Sequence, residues 1–547
     1  MFWILSLGFF WFIRETKLIL FWLYLWQLKE YRFCRFVDHF QTEKGQKLLY
    51  SKLSFLKIII ILLILGELFF FSLKISFLSA LFVFTFILYF LDAYYSIISI
   101  LKKRWKIPVP TKKIILLILT AVLAEILFLF FFYEIAKFYL LIGLFYLLLF
   151  DILTPIIVSF IIYLFLPLTF ILKNKIAKKA KEKRSKIKNL LVVGVAGSYG
   201  KTSTKDFLFS LLSQKFNVLK TEGNNNTEMG VAKTIIQKLD KNHQVFICEM
   251  GAYKKGEIKK ICNIVQPKIG VLTGINEQHI SLFGSFENLI KAKYEIIKCL
   301  PINGLAVLNG NNRHCAKLYE KIKIKKILPF VSFRDNENIR QAGIYAKNIQ
   351  TEKEFISFDV FLKKESAHFK INLLGKQNIE NILMAIAVAI ELGMDLNEIS
   401  ERIKKMEYNP NQMKLKKGIN GLDIIDLSYS ANPNGVIAHL EYLKTYSQKK
   451  IIIMPCLIEL GKFSKEIHKT IGEKIAEICD LAIITTKDNF KEIEKGAIEK
   501  GMNKENILFI ENSKEIIEKI KKYTKKGEVI LLEGRVSKEL IKLLTES

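Results

Sequence analysis

The stretch AGSYGKTS at residues 196–203 combines residue types that bind phosphate. Glycines let backbone N–H groups approach phosphate oxygens, a lysine such as Lys201 reaches the β- and γ-phosphates, and a hydroxyl such as that of Thr202 ligates Mg²⁺. The standard phosphate-binding loop has a further glycine with four residues between it and the Gly-Lys pair, where this chain has Val195. The spacing therefore indicates a nucleotide-phosphate loop of a variant kind.

Such a loop must lie between a strand and a helix. LLVVGVAGSYGKTSTKDFLFSLL at residues 190–212 reads as a buried strand, a Gly-rich turn and an amphipathic helix. Further along, Glu249 ends the apolar run QVFICEM, and His279 and Lys293 follow. A strand-end acid can also cap a helix, a lone histidine is usually an ordinary loop residue, and Lys293 is one of many lysines. The residue types alone leave functional and structural roles open for these three.

Seven stretches of the chain follow, in order, the motifs of the Mur ligases, the ATP-dependent amide-forming enzymes of peptidoglycan precursor synthesis. AGSYGKTS resembles their TGSxGKT loop, and the others resemble the D-alanyl-D-alanine-adding branch, MurF. They are KTEGNNNTEMGVAKTI (220–235), CEMGAYKKGEI (248–258), PKIGVLTGINEQHISLFGSFENLIKAKYEII (267–297), GKQNIENILMAIAVAIELG (375–393), IIDLSYSANPNGV (424–436) and IELG (458–461). By this resemblance over residues 190–547, the chain is identified as a member of the Mur ligase family.

The resemblance implies an ATP-dependent acid–amino-acid ligase. In such enzymes the γ-phosphoryl group of ATP passes to a carboxylate, and an amine such as that of D-Ala-D-Ala attacks the acyl phosphate. Lysines and two Mg²⁺ ions offset the negative charge gathered there. The implied partners are ATP, an amino acid or dipeptide, and a cell-wall precursor glycopeptide that is linked either to UDP or to a lipid.

The resemblance also implies roles for individual residues. It assigns Thr202 and Glu249 to the first Mg²⁺, and His279 and Lys293 to the second. Lys293 is carbamylated in the family, so that it presents the oxygen ligands that Mg²⁺ prefers. The implied catalytic residues are Lys201, Glu249, His279 and Lys293; the ATP-binding positions are Gly197, Ser198, Gly200, Lys201, Thr202, Ser203, Asn378, Asn381, Asp426 and Asn432; and the substrate loop contributes Asn224 and Asn226. For the asparagines, helix or turn capping is the structural alternative.

Several positions depart from the family pattern on the side that closes over the nucleotide. Asn411 and Gln412 replace Gly-Arg, Leu427 replaces the second aspartate of a pair, Gln377 replaces a histidine, and Glu533-Gly534-Arg535 replaces Lys-Gly-Ser. The positions implied at the phosphates and metals are retained. A non-catalytic nucleotide-binding membrane scaffold stays an alternative.

Four apolar stretches precede this part of the chain, at 56–73, 76–100, 114–133 and 137–172. The first three suit a hydrocarbon core that needs about 20 helical residues. The fourth is longer and is interrupted by Asp151 and Pro155, which predicts one crossing followed by an interfacial segment. Residues 1–28 are apolar but contain Arg14, Glu15 and Lys17, which favours a short hairpin or an interfacial helix.

The charge distribution predicts orientation and partners. Basic segments at 29–55, 101–113 and 173–189 are expected to be cytoplasmic, which makes this a multi-pass protein of the cell membrane with its catalytic domains in the cytoplasm. The net charge of +30 is concentrated beside apolar segments, so membrane lipid is the expected partner and nucleic acid is not. Seven scattered cysteines favour a reducing compartment.

The predicted fold class is an α-helical membrane region followed by α/β. Residues 1–172 form the membrane region, 173–189 a basic cytoplasmic linker, 190–408 the P-loop central domain and 409–547 a Rossmann-like domain with a parallel sheet. No segment resembles the domain with which MurF grips a UDP-sugar. Two alternatives follow. In the first, the central domain binds a UDP-linked tripeptide; in the second, the membrane region docks a lipid-linked or polymeric substrate, for which the membrane-associated poly-γ-glutamate synthases are a precedent. A transporter is disfavoured, because the segments lack an ABC-type signature.

Overall fold

The computed structural model describes residues 1–40, 42–49, 51–70, 75–102, 104–223, 225–332, 343–373, 375–406, 414–428, 431–523 and 528–545. They form two compact units, Met1–Leu172 and Lys173–Ser547. The prediction of a helical region followed by α/β domains is confirmed.

The first unit is helical. Its helices are α1 (Phe2–Leu28), α2 (Phe33–His39), α3 (Glu43–Leu49), α4 (Lys52–Phe70), α5 (Ile75–Leu101), α6 (Lys112–Phe138), α7 (Leu140–Leu164) and α8 (Leu166–Ser185), the last of which contains the boundary between the units. Among the described residues, four helical segments are long and apolar enough to cross a membrane by length and composition: Gly45–Phe69, Ser79–Leu101, Lys112–Phe138 and Leu140–Leu164.

Helix α1 is continuous through its charged residues, so the hairpin expected as one alternative for residues 1–28 is wrong. Arg14 Nη1 forms ion pairs with Glu15 Oε2, at 2.9 Å, and with Asp151 of α7. The Thr154 hydroxyl, also on α7, donates to Glu15. Partners on a neighbouring helix thus satisfy the charges that suggested a break in α1.

The central domain is built on a six-stranded parallel sheet with the order β2-β3-β1-β4-β5-β6. The strand β1 is apolar on both faces, as expected for a strand covered by helices on each side. The elements are β1 (Leu191–Ala196), α9 (Lys201–Leu212), β2 (Val218–Lys220), α10 (Glu228–Lys238), β3 (Val245–Met250), α11 (Glu257–Val265), β4 (Ile269–Leu272), α12 (Ile280–Phe283), α13 (Phe286–Lys298), β5 (Leu305–Leu308), α14 (Arg313–Tyr319) and β6 (Lys325–Ile327).

A second sheet of four strands, in the order β10-β9-β8-β7, belongs to the same domain and is mostly antiparallel. Its buried residues share one hydrophobic core with β1, α9 and the long helix α15. The elements are β7 (Phe330–Val331), β8 (Ile344–Thr351), β9 (Ile356–Leu362), β10 (Glu365–Ile371), α15 (Gln377–Glu391) and α16 (Leu396–Lys404).

The C-terminal domain has a six-stranded sheet with the order β11-β12-β16-β13-β14-β15, parallel except for β11. The parallel sheet predicted for residues 409–547 is present in strands β12 to β16. The elements are β11 (Lys414–Lys417), β12 (Asp423–Leu427), α17 (Pro433–Leu443), β13 (Lys450–Met454), α18 (Ser464–Ile478), β14 (Leu481–Ile484), α19 (Phe490–Glu499), β15 (Ile507–Phe509), α20 (Ser513–Tyr523), β16 (Val529–Glu533) and α21 (Lys538–Thr545).

The basic segment predicted as a linker is helical up to Ser185, and its end packs on the central domain. Lys183 Nζ donates to the Ile236 carbonyl at 2.8 Å, and Arg184 Nε donates to the Val265 carbonyl at 2.7 Å. Ala180 is fully buried in the core on that side of the sheet.

Candidate active site

The predicted phosphate loop lies between β1 and α9. Gly200 precedes α9 in the left-handed conformation, with φ 73°. A Cβ atom there would lie 2.3 Å from Asn381 Oδ1, and one at Gly197 would lie 2.1 Å from Thr273 Oγ1. Ser198 N–H donates to the Gly274 carbonyl at 2.7 Å. The loop therefore requires glycine at both positions, and it ends at the N-terminus of a helix, where anions bind.

The Lys201 side chain folds back over this loop. Its Nζ donates to the carbonyls of Gly197 and Ser198, at 2.9 and 3.1 Å. Burial lowers the pKa of Lys201, and the charge of Glu249 partly offsets that effect. Ser203 lies half-buried in the same turn of α9. The ammonium group is thus held at the loop by weak carbonyl acceptors, which a phosphate oxygen can replace.

Glu249 lies at the end of β3, next to β1 in the sheet, and is 2% exposed. Its Oε2 accepts hydrogen bonds from the Thr202 hydroxyl and the Lys205 ammonium, both at 3.1 Å. Its Oε1 accepts from Asn226 Nδ2 at 2.9 Å. The structure therefore brings together Thr202, Glu249 and Asn226, three of the residues that the sequence singled out.

Lys205 is a member of this site that the sequence analysis missed. Its ammonium forms a buried ion pair with Glu249, and its side chain is 2% exposed. It stands one helical turn after Lys201, and residues at that spacing share a helix face. That spacing was the available signal, but it is weak in a chain with so many lysines.

His279 lies beside the C-terminal domain. It adopts the left-handed conformation, with φ 65°, directly before α12. Its Nδ1 is hydrogen-bonded to the carboxylate of Glu459, and its ring meets that of Tyr253 edge-on at 5.1 Å. Burial lowers the pKa of His279, while the hydrogen bond to Glu459 opposes that shift. Glu459 was quoted in the IELG stretch but given no role, because only the fold places it opposite a histidine.

Lys293 is buried on α13, with 3% of its surface exposed. Its Nζ donates to the Ala252 carbonyl at 3.1 Å and lies 5.4 Å from the centre of the Phe283 ring. Burial, followed by the charge of Lys201, lowers the pKa of Lys293 to about 7. A lysine in this position carries a largely neutral amine at physiological pH.

The residues predicted on the adenosine side are spread over both domains. Asn381 Oδ1 accepts from the Thr204 hydroxyl at 3.3 Å, and Asn378 lies in the first turn of α15. Asp426 accepts from Lys416 Nζ at 2.7 Å and from the Ser428 hydroxyl at 2.6 Å. Asn432 caps α17, since its Oδ1 accepts from Gly435 N–H at 3.1 Å, which is the structural alternative raised for it.

Asn276 joins the two domains and was also missed. Its Nδ2 donates to Asn434 Oδ1 at 2.7 Å and to Asn432 Oδ1 at 3.3 Å. Its neighbourhood includes Ser198 of the phosphate loop, whose hydroxyl accepts from Asn276 N–H at 3.3 Å. The phosphate loop and the C-terminal domain are therefore linked through one residue, by its backbone N–H on one side and its side chain on the other.

The residues that depart from the family pattern, and the predicted substrate residue Asn224, lie in several parts of the chain. Asn224, Asn411 and Gln412 lie outside the described residues. Leu427 ends β12, and Gln377 begins α15. Glu533 is fully buried and its Oε2 is 2.7 Å from His439 Nδ1, whereas Arg535 is exposed.

The chemistry of this donor set fits Mg²⁺ bound together with a nucleotide. Within the described ranges, no group of three or more His, Cys, Asp or Glu side chains forms a metal site. Mg²⁺ is usually held by one or two carboxylates together with substrate phosphates and water. The Thr202 hydroxyl and the Glu249 carboxylate, beside a loop suited to phosphate, meet that requirement.

Two family models match the chain: the Mur ligase middle domain over residues 195–389 and the Mur ligase glutamate ligase domain over residues 412–536. Together they cover more than half of its length. The UDP-N-acetylmuramoyl-tripeptide–D-alanyl-D-alanine ligase of Bacillus subtilis is 28% identical over 371 residues, which are 65% of this chain and 76% of that enzyme. The Escherichia coli enzyme of the same name is 29% identical over 283 residues, 52% of this chain and 61% of that enzyme.

Solved structures share the fold. MurF from Acinetobacter baumannii superposes with a TM-score of 0.62 at 24% identity, over 69% of this chain and 81% of that one. MurF from Thermotoga maritima, solved in complex with ADP, has a TM-score of 0.59 at 23% identity, over 68% of this chain and 83% of that one.

Proposed function

Because the chain belongs to the Mur ligase family, we propose that it is an ATP-dependent acid–amino-acid ligase of the MurF type. Its reaction joins the amine of D-Ala-D-Ala to the peptide carboxylate of a cell-wall precursor, either UDP-N-acetylmuramoyl-tripeptide or its lipid-linked counterpart. The relatives in Bacillus subtilis and Escherichia coli bear the name of the UDP-linked reaction.

One observation carries this proposal. The phosphate loop after β1, the carboxylate that ends β3 and the histidine loop after β4 meet at the carboxyl edge of one parallel sheet, against the C-terminal domain. Ligands of open α/β sheets bind at that edge. The arrangement combines an anion-binding loop, a hard carboxylate and a domain boundary able to exclude water from a reactive acyl phosphate.

The residues at the loop would hold the nucleotide. When bound, Mg-ATP supplies the γ-phosphoryl group that activates the substrate carboxylate. Lys201 would exchange its two carbonyl partners for phosphate oxygens, and the N–H groups at the start of α9 would bind the same phosphates. Thr202 and Glu249 would ligate Mg²⁺, and the buried ion pair with Lys205 would hold the Glu249 carboxylate in place. Asn378, Asn381, Asp426 and Asn432 are proposed for the adenosine side, and Asn226 for the substrate.

His279 and Lys293 are proposed for a second Mg²⁺. The low pKa of Lys293 makes its amine available to carbon dioxide, and the carbamate would present oxygens in place of a cation. Glu459 would hold the His279 ring through Nδ1, which leaves Nε2 as the atom that can act as a ligand.

The apolar helices of the first unit are proposed to anchor the protein in the cell membrane, with the catalytic domains in the cytoplasm. The support is the length and composition of four helical segments and the basic residues that flank them.

The test is ligation by the full chain in detergent, with Mg-ATP, D-Ala-D-Ala and either UDP-N-acetylmuramoyl-tripeptide or its undecaprenyl-linked counterpart. Mass spectrometry detects the dipeptide adduct. Lys201→Ala is expected to abolish it, whereas Lys233→Ala, which alters an exposed lysine on α10, is expected to preserve it. Absence of any adduct from both substrates would refute the proposal.

A further inference from the structure

The N-terminal unit contains a cavity of about 310 Å³. Four basic residues line it, together with one carboxylate, Asp92; the basic residues are Arg14, Lys17, Arg104 and Lys106. The size lies at the lower end of ligand sites, which range from about 300 to 1,000 Å³. It suits a compact charged group better than a whole glycopeptide.

The charges around this cavity do not balance. Arg14 is already paired, through Nη1 with Glu15 and Asp151 and through Nε with Asp92 at 3.4 Å. Lys17 Nζ donates to a hydroxyl, that of Ser96, at 3.3 Å. Counting only the part of the chain that the structure describes, no carboxylate lies within 4.0 Å of the side-chain nitrogens of the three other basic residues. The cavity therefore presents an excess of positive charge that an anion would offset.

The cavity also lies at the ends of apolar helices. Leu53 is in the first turn of α4, Ser96 is in the last two turns of α5, and Arg104 lies three residues beyond the end of α5. Both helices contribute segments long and apolar enough to cross a membrane. Basic and Trp side chains, here including Trp105, are typical of the level where such helices leave the hydrocarbon core.

The lining combines these cations with apolar side chains of α1, Leu18 and Phe21. A free phosphate ion would use only the charged part of this lining. A phosphate attached to a hydrocarbon chain would use both parts, with its chain along the apolar helices and its charge at their ends.

We propose that this cavity binds the phosphate or diphosphate group of a membrane lipid. Arg104 supplies a guanidinium group, which binds phosphate oxygens in pairs, and Lys17 and Lys106 add point charges. Arg14, whose Nη1 and Nε are paired with carboxylates, contributes only through Nη2. Binding requires no ligase chemistry. A further step, in which the bound lipid carries the acceptor of the ligation, would rest on the proposed function. The binding itself does not.

The test is binding of farnesyl diphosphate to the full chain in detergent, in a Lys201→Ala background that weakens diphosphate binding at the nucleotide loop. Tryptophan fluorescence is a selective readout, because all five tryptophans lie within the first 105 residues and Trp105 lines the cavity. Farnesyl diphosphate is expected to bind at least about tenfold more tightly than inorganic pyrophosphate, because only the lipid also buries a hydrocarbon chain. Farnesol, which lacks the charge, is expected not to bind.

Paired variants locate the site. Arg104→Ala/Lys106→Ala is expected to weaken farnesyl diphosphate binding about thirtyfold, from the contribution of each cation beside a membrane surface. Lys102→Ala/Lys112→Ala removes the same charge from exposed positions in the same region, outside the cavity lining, and should change the affinity less than twofold. Equal effects of the two double variants would overturn the assignment to this cavity. Equal affinity for pyrophosphate and farnesyl diphosphate would overturn the lipid as the source of the phosphate.

Since the binding assay uses a variant expected to be inactive in ligation, its outcome is separate from that of the ligase assay. A protein that ligates but does not bind farnesyl diphosphate refutes only the lipid site. A protein that binds the lipid but yields no adduct refutes only the proposed function.

Discussion

Lys293 is expected to carry a neutral amine near neutral pH and to take up carbon dioxide. Burial and the charge of Lys201 lower its pKa to about 7. At pH 7.5 about three-quarters of such an amine is neutral, against about one part in a thousand for a lysine of ordinary pKa. Only the neutral amine has the lone pair that forms the new N–C bond. The fraction of Lys293 that can react is therefore about 600 times that of an exposed lysine.

The assay is ¹³C NMR of the full chain equilibrated with ¹³C-bicarbonate at pH 7.5. The neutral amine and carbon dioxide give a carbamate and release one proton, so one protein-bound carbamate resonance is expected. Lys293→Gln should remove it. Lys291→Gln is the matched control, because that lysine lies on the same helix with a half-exposed side chain paired to Glu287. A resonance that survives Lys293→Gln, or none in the unaltered protein, would refute the reasoning.

The same pKa shift makes the free energy of unfolding depend on pH. The unfolded chain, with a lysine pKa of about 10.4, binds more protons than the folded protein between about pH 7 and pH 10. The contribution of Lys293 to stability therefore rises with pH across that window, and below pH 7 its buried charge costs about 4–5 kcal/mol. In buffers free of carbon dioxide, Lys293→Met is expected to remove this dependence. Urea unfolding followed by circular dichroism at pH 7 and pH 9.5 measures it.

Three further changes test the site. Gly200→Ala is expected to abolish Mg-ATP binding in calorimetry, because the new Cβ atom would lie 2.3 Å from Asn381 Oδ1. The control is Gly256→Ala, which also has a positive φ but has no atom within 4 Å of the new Cβ, and it should retain binding. Lys205→Met should lower the free energy of unfolding by about 3–5 kcal/mol, because it leaves the buried Glu249 carboxylate without its ion-pair partner. Lys238→Met breaks an exposed ion pair and should lower it by less than about 1 kcal/mol. Equal decreases for the two variants in urea unfolding would contradict the burial argument. Glu459→Ala removes a hydrogen bond between the central and C-terminal domains that is worth about 1.5–3 kcal/mol. The KM for ATP should therefore rise at least about tenfold. An unchanged KM would show that this contact does not help to close the two domains over ATP.

The phosphate loop was predictable from sequence because its strand, turn and helix are contiguous in the chain. Glu249 was harder, because its contact with Thr202 depends on β3 lying beside β1, and the resemblance to a family supplied that neighbour. Lys205 could not be found in this way. A lysine on an amphipathic helix normally faces solvent, and only the packing of α9 against β3 buries its ammonium against a carboxylate.

The four-stranded sheet formed by β7 to β10 was absent from the prediction for a related reason. Its strands carry none of the motifs that guided the interpretation, and their role is to cover α15 with apolar side chains such as Phe358 and Phe369. Contacts of this kind join segments far apart in the chain. Period-two patterns indicate strands, but they do not say against which helix a sheet will pack.

Arg14 and Glu15 show the opposite error in one of the two alternatives for residues 1–28, the hairpin, in which these charges interrupt the helix. A charged pair within an apolar helix costs free energy unless partners on other helices satisfy it, and here Asp151 pairs with Arg14 while the Thr154 hydroxyl donates to Glu15. Replacing a buried ion network by apolar side chains is often neutral or stabilising, so folding alone is a poor reason for its presence. Arg14 belongs both to this network and to the lining of the cavity. A network that orients this cation toward an anion in the cavity would explain why the charge lies there, and a failure of farnesyl diphosphate to bind would leave the network a purely structural role.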